Sequence, residues 1–291
     1  MADIKITDVR SLPGDSAFLI DDGKTAIMYD SGFAFSGYDV ADKIKAILGD
    51  RSLDYIFLTH SHYDHALGSV YAKRYWKNAK IVAGEYAAKI FAKDSARAVM
   101  RDLDRKFADK CGVGEYEDLI DELHVDIAAK DGDVIEAGSM KFRVISLPGH
   151  TKCSVGFYLE EEKLLLGCES LGVYKRSGDV VPSFLVGYRK TLDSIERASR
   201  LGAEKILVPH YGVIDKEAAD NYFKTSAENT VYVAERIVTM LKEGASKDEI
   251  REDYMKRFYH DDLKSVYPVD AINLNTNITI NLIEKELMSD E

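Results

Sequence analysis

Short apolar runs, each closed by a polar turn, make up most of the first sixty residues. Two of them, 17–20 and 25–29, flank Asp21-Asp22-Gly23, which predicts a hairpin. Val40, Ile44 and Ile47 then recur at helical spacing before Gly49, so a helix is predicted over about 38–48. The run Tyr55 to Leu58 reads as a short buried strand. It passes directly into Thr59-His60-Ser61-His62-Tyr63-Asp64-His65, which places the histidines on a loop at the C-terminal end of a strand.

The stretch 86–124 is charged and mostly helical in pattern, with Gly112 and Gly114 as interruptions, and reads as an insertion over one face. Strand patterns return at 141–145, 155–159 and 163–166. The first ends at Leu147-Pro148-Gly149-His150 and the third at Gly167-Cys168-Glu169. A helix over about 189–201 is stopped by Gly202, and a strand at 206–208 delivers Pro209-His210-Tyr211-Gly212. Beyond 216 the pattern stays helical to the end, broken at Tyr267-Pro268. Each half thus runs strands into a polar loop bearing His or an acid, and two sheets with loops at a common edge are expected. The expected organisation is a core over 1–215, with the helical insertion at about 86–124, and a helical extension over 216–291 packed on it.

Composition narrows the partners. The 291 residues are 46% hydrophobic, enough for a sizeable core. A net charge of −11 argues against nucleic acid or an anionic membrane as the main partner, since both need surplus Lys and Arg. The first residues lack the pattern of a secretory leader, and no run approaches a membrane span, so a cytoplasmic protein is expected. Cys111, Cys153 and Cys168 are odd in number and have no CxxC spacing, which predicts free thiols.

The chemistry concentrates after residue 58. His60, His62, Asp64 and His65 put three imidazoles and a carboxylate within six residues, a donor set suited to zinc, iron or manganese. On an extended segment alternate side chains share a face, so His60 and His62 can grip one ion while Asp64 and His65 turn toward another. This HxHxDH pattern resembles the metallo-β-lactamase superfamily. So do the Asp30-Ser31-Gly32 turn, Pro148-Gly149-His150-Thr151 with Ser154-Val155-Gly156, and Val208-Pro209-His210, in family order over about residues 10–213.

That resemblance implies an α/β fold, the four-layer αββα sandwich, with a C-terminal helical extension. It implies two divalent ions, zinc first and iron or manganese next, with His60, His62 and His150 on one and Asp64, His65 and His210 on the other. The bridging ligand of the family is an aspartate; here Glu169 falls at its position, with Cys168 as the rival. Face alternation along the strand favours Glu169. Asp30 is expected to orient a metal-binding histidine. Asp64 is the candidate to orient or deprotonate the attacking water, and Tyr211 the candidate hydroxyl donor. The expected activity is a dinuclear hydrolase using a metal-bound hydroxide on a small-molecule ester, thioester or lactone. Alternatives are a phosphodiesterase, a metal-retaining ligand-binding regulator and a non-haem di-iron oxidoreductase. The last is disfavoured by His62, where flavodiiron members carry Glu. A homodimer through the C-terminal helices is a further expectation.

Overall fold

The computed structural model describes residues 4–288. Two compact units make up the chain: one runs to Ser146 and takes in Val155–Glu162, the other comprises Leu147–Ser154 and everything from Lys163.

The first unit is built on a six-stranded sheet of β1 (Lys5–Asp8), β2 (Phe18–Asp21), β3 (Ala26–Tyr29), β4 (Tyr55–Leu58), β5 (Lys80–Gly84) and β6 (Ile127–Ala129), in that spatial order. The expected hairpin is β2–β3, antiparallel with Ile20 opposite Ile27. Its turn is held by Asp22, whose Oδ1 accepts from the amides of Lys24 and Thr25. From β3 onward the strands are parallel, and β3 is buried at all four positions, as a strand covered on both faces must be. Three-residue β6 and the weakly patterned β5 escape sequence reading. An antiparallel set, β7 (Val134–Ala137), β8 (Met140–Ser146) and β9 (Val155–Leu159), completes the strands, and Phe57 of β4 stacks on Phe157 at 4.6 Å between ring centroids.

Among the helices of this unit, α1 (Gly37–Leu48) buries Val40, Ala41, Ile44 and Leu48. Ile47, expected on that face, is 40% exposed, because the buried stripe continues through Leu48 instead. A single turn, α2 (Tyr63–Ala66), is followed by α3 (Ser69–Tyr75). The Gly68 between them lies so close to the carbonyl oxygen of Ser31 that a Cβ would sit 1.8 Å from it, which explains a glycine there. The stretch expected as a helical insertion holds α4 (Glu85–Phe91) and α5 (Asp94–Lys110), then runs without α-helix to a short 3₁₀ turn at Ile120–Glu122.

Asp104 of α5 is fully buried, accepts from the Tyr116 hydroxyl at 2.6 Å and the Ala34 amide at 2.8 Å, and is pushed by burial from the ordinary 3.8 up to about 6. A carboxyl raised in the folded state holds its proton there before the unfolded chain does. Its contribution therefore improves as pH falls from about 6 toward 3.8 and is lost above 6, a span of about 3 kcal/mol. Asp104→Asn keeps an acceptor for Ala34 and a group for Tyr116 without a charge. In urea unfolding it is expected to match or exceed the parent above about pH 7 and to show a flatter dependence below it; a variant destabilised by more than about 2 kcal/mol at the higher pH would contradict this.

In the second unit β10 (Leu164–Leu166) pairs in parallel with β13 (Lys205–Val208), which pairs antiparallel with β14 (Gly212–Ile214). A two-stranded ribbon, β11 (Val173–Tyr174) and β12 (Val180–Val181), lies between them in sequence, and α6 (Tyr188–Ser199) precedes β13. The helices α7 (Lys216–Lys242), α8 (Lys247–Phe258), α9 (Leu263–Val266) and α10 (Val269–Leu287) follow, with the expected break at Pro268. They share a hydrophobic core with Val173, Val181 and Phe184, so the helical extension belongs to one compact unit with residues 163–215.

Candidate metal centre

In the first unit, adjacent parallel strands bring their C-terminal ends to one edge. Asp30 follows β3 and Thr59-His60 follows β4, and the Asp30 amide donates to the Phe57 carbonyl at 2.8 Å. Asp30 has φ 49 and is fully buried. Its carboxylate accepts from the Thr59 amide (2.9 Å), the Thr59 hydroxyl (3.0 Å), the Ser16 hydroxyl (2.9 Å) and His65 Nδ1 (2.8 Å). A buried charge is tolerated only with such a full set of donors.

These bonds fix two tautomers. His65 faces a carboxylate through Nδ1, so that nitrogen carries the proton. The Thr59 hydroxyl gives its one hydrogen to Asp30 and sits 2.9 Å from His60 Nδ1, which must donate to it in turn. In both rings the lone pair is therefore on Nε2. The rings gather: His60 lies 4.2 Å from His65 and 4.5 Å from His62, centroid to centroid. His65 Nε2 is 3.5 Å from Asp64 Oδ2, two electron-pair-bearing atoms turned toward one another, an arrangement that a cation between them stabilises. The main chain is held as firmly, with the His65 carbonyl accepting from the Ser31 amide at 2.8 Å and the Ser31 hydroxyl at 2.9 Å. The extended geometry expected for the motif stops at His62; from Tyr63 the chain turns into α2, which is what swings Asp64 and His65 round.

The second unit repeats the device. Parallel β10 and β13 end on one edge, followed by Gly167-Cys168-Glu169 and Pro209-His210. Glu169 is 3% exposed and lies between two imidazoles, with Oε2 at 2.8 Å from His150 Nε2 and Oε1 at 3.5 Å from His210 Nε2. His150 Nδ1 meets the Ser183 carbonyl at 3.2 Å and the Ser183 hydroxyl at 2.8 Å, and the His150 amide donates to the Ser170 hydroxyl oxygen at 3.0 Å. A carbonyl only accepts, so an Nδ1–H points to Ser183, while Nε2 is the nitrogen turned to the Glu169 carboxylate. His210 holds φ 62, a left-handed conformation that turns its side chain off the strand direction. Gly149 before His150 has φ 156, and a Cβ there would lie 2.1 Å from the Thr191 hydroxyl.

Cys168 is fully buried, and it is the Glu169 carboxylate that spans the two imidazoles. Thiol and carboxylate both lie near the Tyr222 phenol, whose pKa is driven well above its ordinary value by complete burial first and by these two neighbours second. Tyr211, half-buried, sets its ring edge-to-face on Tyr174 at 4.6 Å, and His210 meets Tyr267 at 5.6 Å. Thr59 and Ser183 as holders of imidazoles, and Ser16 as a donor to Asp30, escape sequence reading; only the position of Thr59 beside His60 offers a signal. His124 is exposed, and His260 contacts Lys175 at 3.2 Å. No helix among the described residues is long and apolar enough to cross a membrane.

Buried imidazoles with Nδ1 held and Nε2 aimed at carboxylates are the donor chemistry that divalent ions require. The family model described as the Metallo-beta-lactamase superfamily matches residues 13–210, and the chain belongs to that superfamily. Its relatives include glyoxylase B2 of Dictyostelium discoideum, 33% identical over 129 residues that cover 44% of this chain and 39% of the relative. Hydroxyacylglutathione hydrolase 1 of Vibrio vulnificus is 23% identical over 82% of this chain and 87% of its own length. A metallo-beta-lactamase family protein of Thermus thermophilus superposes with a TM-score of 0.65 at 17% identity, covering 98% of this chain and 93% of its own. The fold is thus the expected α/β metallo-β-lactamase fold with C-terminal helices. The Dictyostelium match spans well under half of that relative's length.

Proposed function

We propose that the chain is a dinuclear metal-dependent hydrolase of small-molecule acyl esters, thioesters foremost. His60, His62 and His150 would hold one ion, Asp64, His65 and His210 the other, and Glu169 both. The single observation that carries this reading is that His60, His65 and His150 have Nδ1 hydrogen-bonded to Thr59, Asp30 and Ser183, so that Nε2 is the nitrogen each would offer a metal. Two divalent ions in such a set supply Lewis-acid polarisation of a carbonyl and lower the pKa of water toward neutrality; zinc, iron or manganese suit the donors.

The protein's own part is orientation and proton handling. Asp30 fixes His65 directly and His60 through Thr59, so that both rings are in place before substrate arrives. Asp64, whose Oδ2 lies beside His65 Nε2 and which is partly open to solvent, would hold the proton taken from water and return it to the leaving thiolate or alkoxide. Tyr211 is the proposed hydroxyl donor to the carbonyl oxygen. A thioester substrate is favoured by the Vibrio relative, whose name describes cleavage of an acyl group from glutathione.

The test is metal analysis of protein purified without added metal, then turnover of thioesters, lactones and phosphodiesters before and after chelation. Carbonyl-ester turnover lost on chelation and restored by zinc is the expected result. Full turnover after chelation, or turnover of phosphodiesters alone, overturns the proposal.

A further inference from the structure

Nine of the eleven phenylalanines are buried, at 8% exposure or less. The two that keep part of the ring open to solvent, Phe35 and Phe107, are neighbours, 6.0 Å apart between centroids. Both rest on Phe33, at 5.0 Å and 4.8 Å, and Phe33 in turn contacts Tyr63 at 5.6 Å. Tyr63 stands between His62 and Asp64 in the chain, so this aromatic wall continues directly from the histidine loop.

The wall is held rigid at some expense. The segment that carries Phe33 and Phe35 is pinned by two fully buried carboxylates. Asp104 accepts from the Ala34 amide at 2.8 Å, and Asp15 accepts from the Phe33 amide at 3.4 Å and the Ser36 hydroxyl at 3.1 Å. Burial raises the pKa of both acids, a cost an ordinary loop has no reason to bear. Asp104 also takes the hydroxyl of Tyr116, whose ring meets Phe35 at 6.3 Å. Flat apolar surface that is preorganised, part-exposed and beside a polar catalytic loop is how a binding site grips the unreactive arm of a substrate.

We infer that Phe35 and Phe107 form the binding wall for an apolar acyl arm, which makes the substrate a medium-chain or aryl acyl thioester in place of a short polar one. This rests on the hydrolase reading for the reaction and on the wall alone for the arm. The zinc-loaded full chain is assayed with acetyl, hexanoyl and phenylacetyl thioesters of N-acetylcysteamine. Each methylene buried is worth roughly fourfold, so hexanoyl should exceed acetyl in kcat/KM by at least about tenfold. In Phe35→Ala and Phe107→Ala that ratio should collapse to about threefold or less, through KM. Phe35→Leu, a milder change, serves if the alanine variants fail to fold, and should spare hexanoyl more than phenylacetyl.

Binding of the unreactive S-hexyl and S-ethyl thioethers of N-acetylcysteamine, followed by calorimetry, separates the two claims. A hexyl preference abolished by the variants, with no thioester turned over, sinks the hydrolase reading and keeps the wall. Turnover with an unchanged hexanoyl-to-acetyl ratio, or an equal loss on both substrates, sinks the wall and keeps the hydrolase.

Discussion

Asp30→Asn is expected to give a folded protein whose zinc affinity falls about 10- to 100-fold. The carboxylate accepts four hydrogen bonds and donates none, and each comes from a group that can only give a proton there. An amide puts an NH₂ in place of one oxygen. If that NH₂ faces His65 Nδ1, the ring must accept through Nδ1 and carry its proton on Nε2, the nitrogen meant for metal. If it faces Thr59, an amide and a hydroxyl lose their acceptor, at a cost of about 1–3 kcal/mol. Chelator competition measures the affinity, and ring ¹⁵N shifts of His65 report the tautomer. Unchanged affinity with a switched tautomer would mean that His65 is no ligand.

Glu169→Gln should cost more still. Its two oxygens face His150 and His210 at 2.8 Å and 3.5 Å, and only a full negative charge shared over both can hold two cations close together. The variant is expected to retain at most one equivalent of metal and to lose about 3 kcal/mol of transition-state stabilisation, roughly a hundredfold in turnover. Glu169→Asp should keep both metals, being one methylene shorter at the position where the family carries aspartate. Cys168→Ala is the control for the rival ligand: metal loss there, with Glu169→Gln intact, would transfer the role to the thiol.

Much of this was legible in the residues because the relevant elements are local. The β2–β3 hairpin, the strand at Tyr55–Leu58 and the helix before Gly49 are each set by a run of neighbouring side chains and a turn former. The candidate ligands after β4 and β13 follow strands whose apolar runs announce them. What escaped is non-local. A three-residue strand such as β6 has too little pattern of its own and exists because β5 lies beside it. Residues 111–119 leave the helical pattern expected of them, in part because Tyr116 and Asp118 are engaged by Asp104 and Arg101 of α5. The aromatic wall had no signature, since Phe33, Phe35 and Phe107 come together across some seventy positions.

By itself the sequence determined the family, the donor types and the order in which they occur, because metal chemistry constrains residue identity and strands place those residues at their ends. For His65 and His150, tertiary structure alone decided which ring nitrogen the protein holds. That choice belongs to the partner of Nδ1, and the partners come from afar: Asp30 for His65, 35 residues away, and Ser183 for His150, 33 residues away. A hydrogen bond between buried groups depends on distance in space, which separation along the chain does not report.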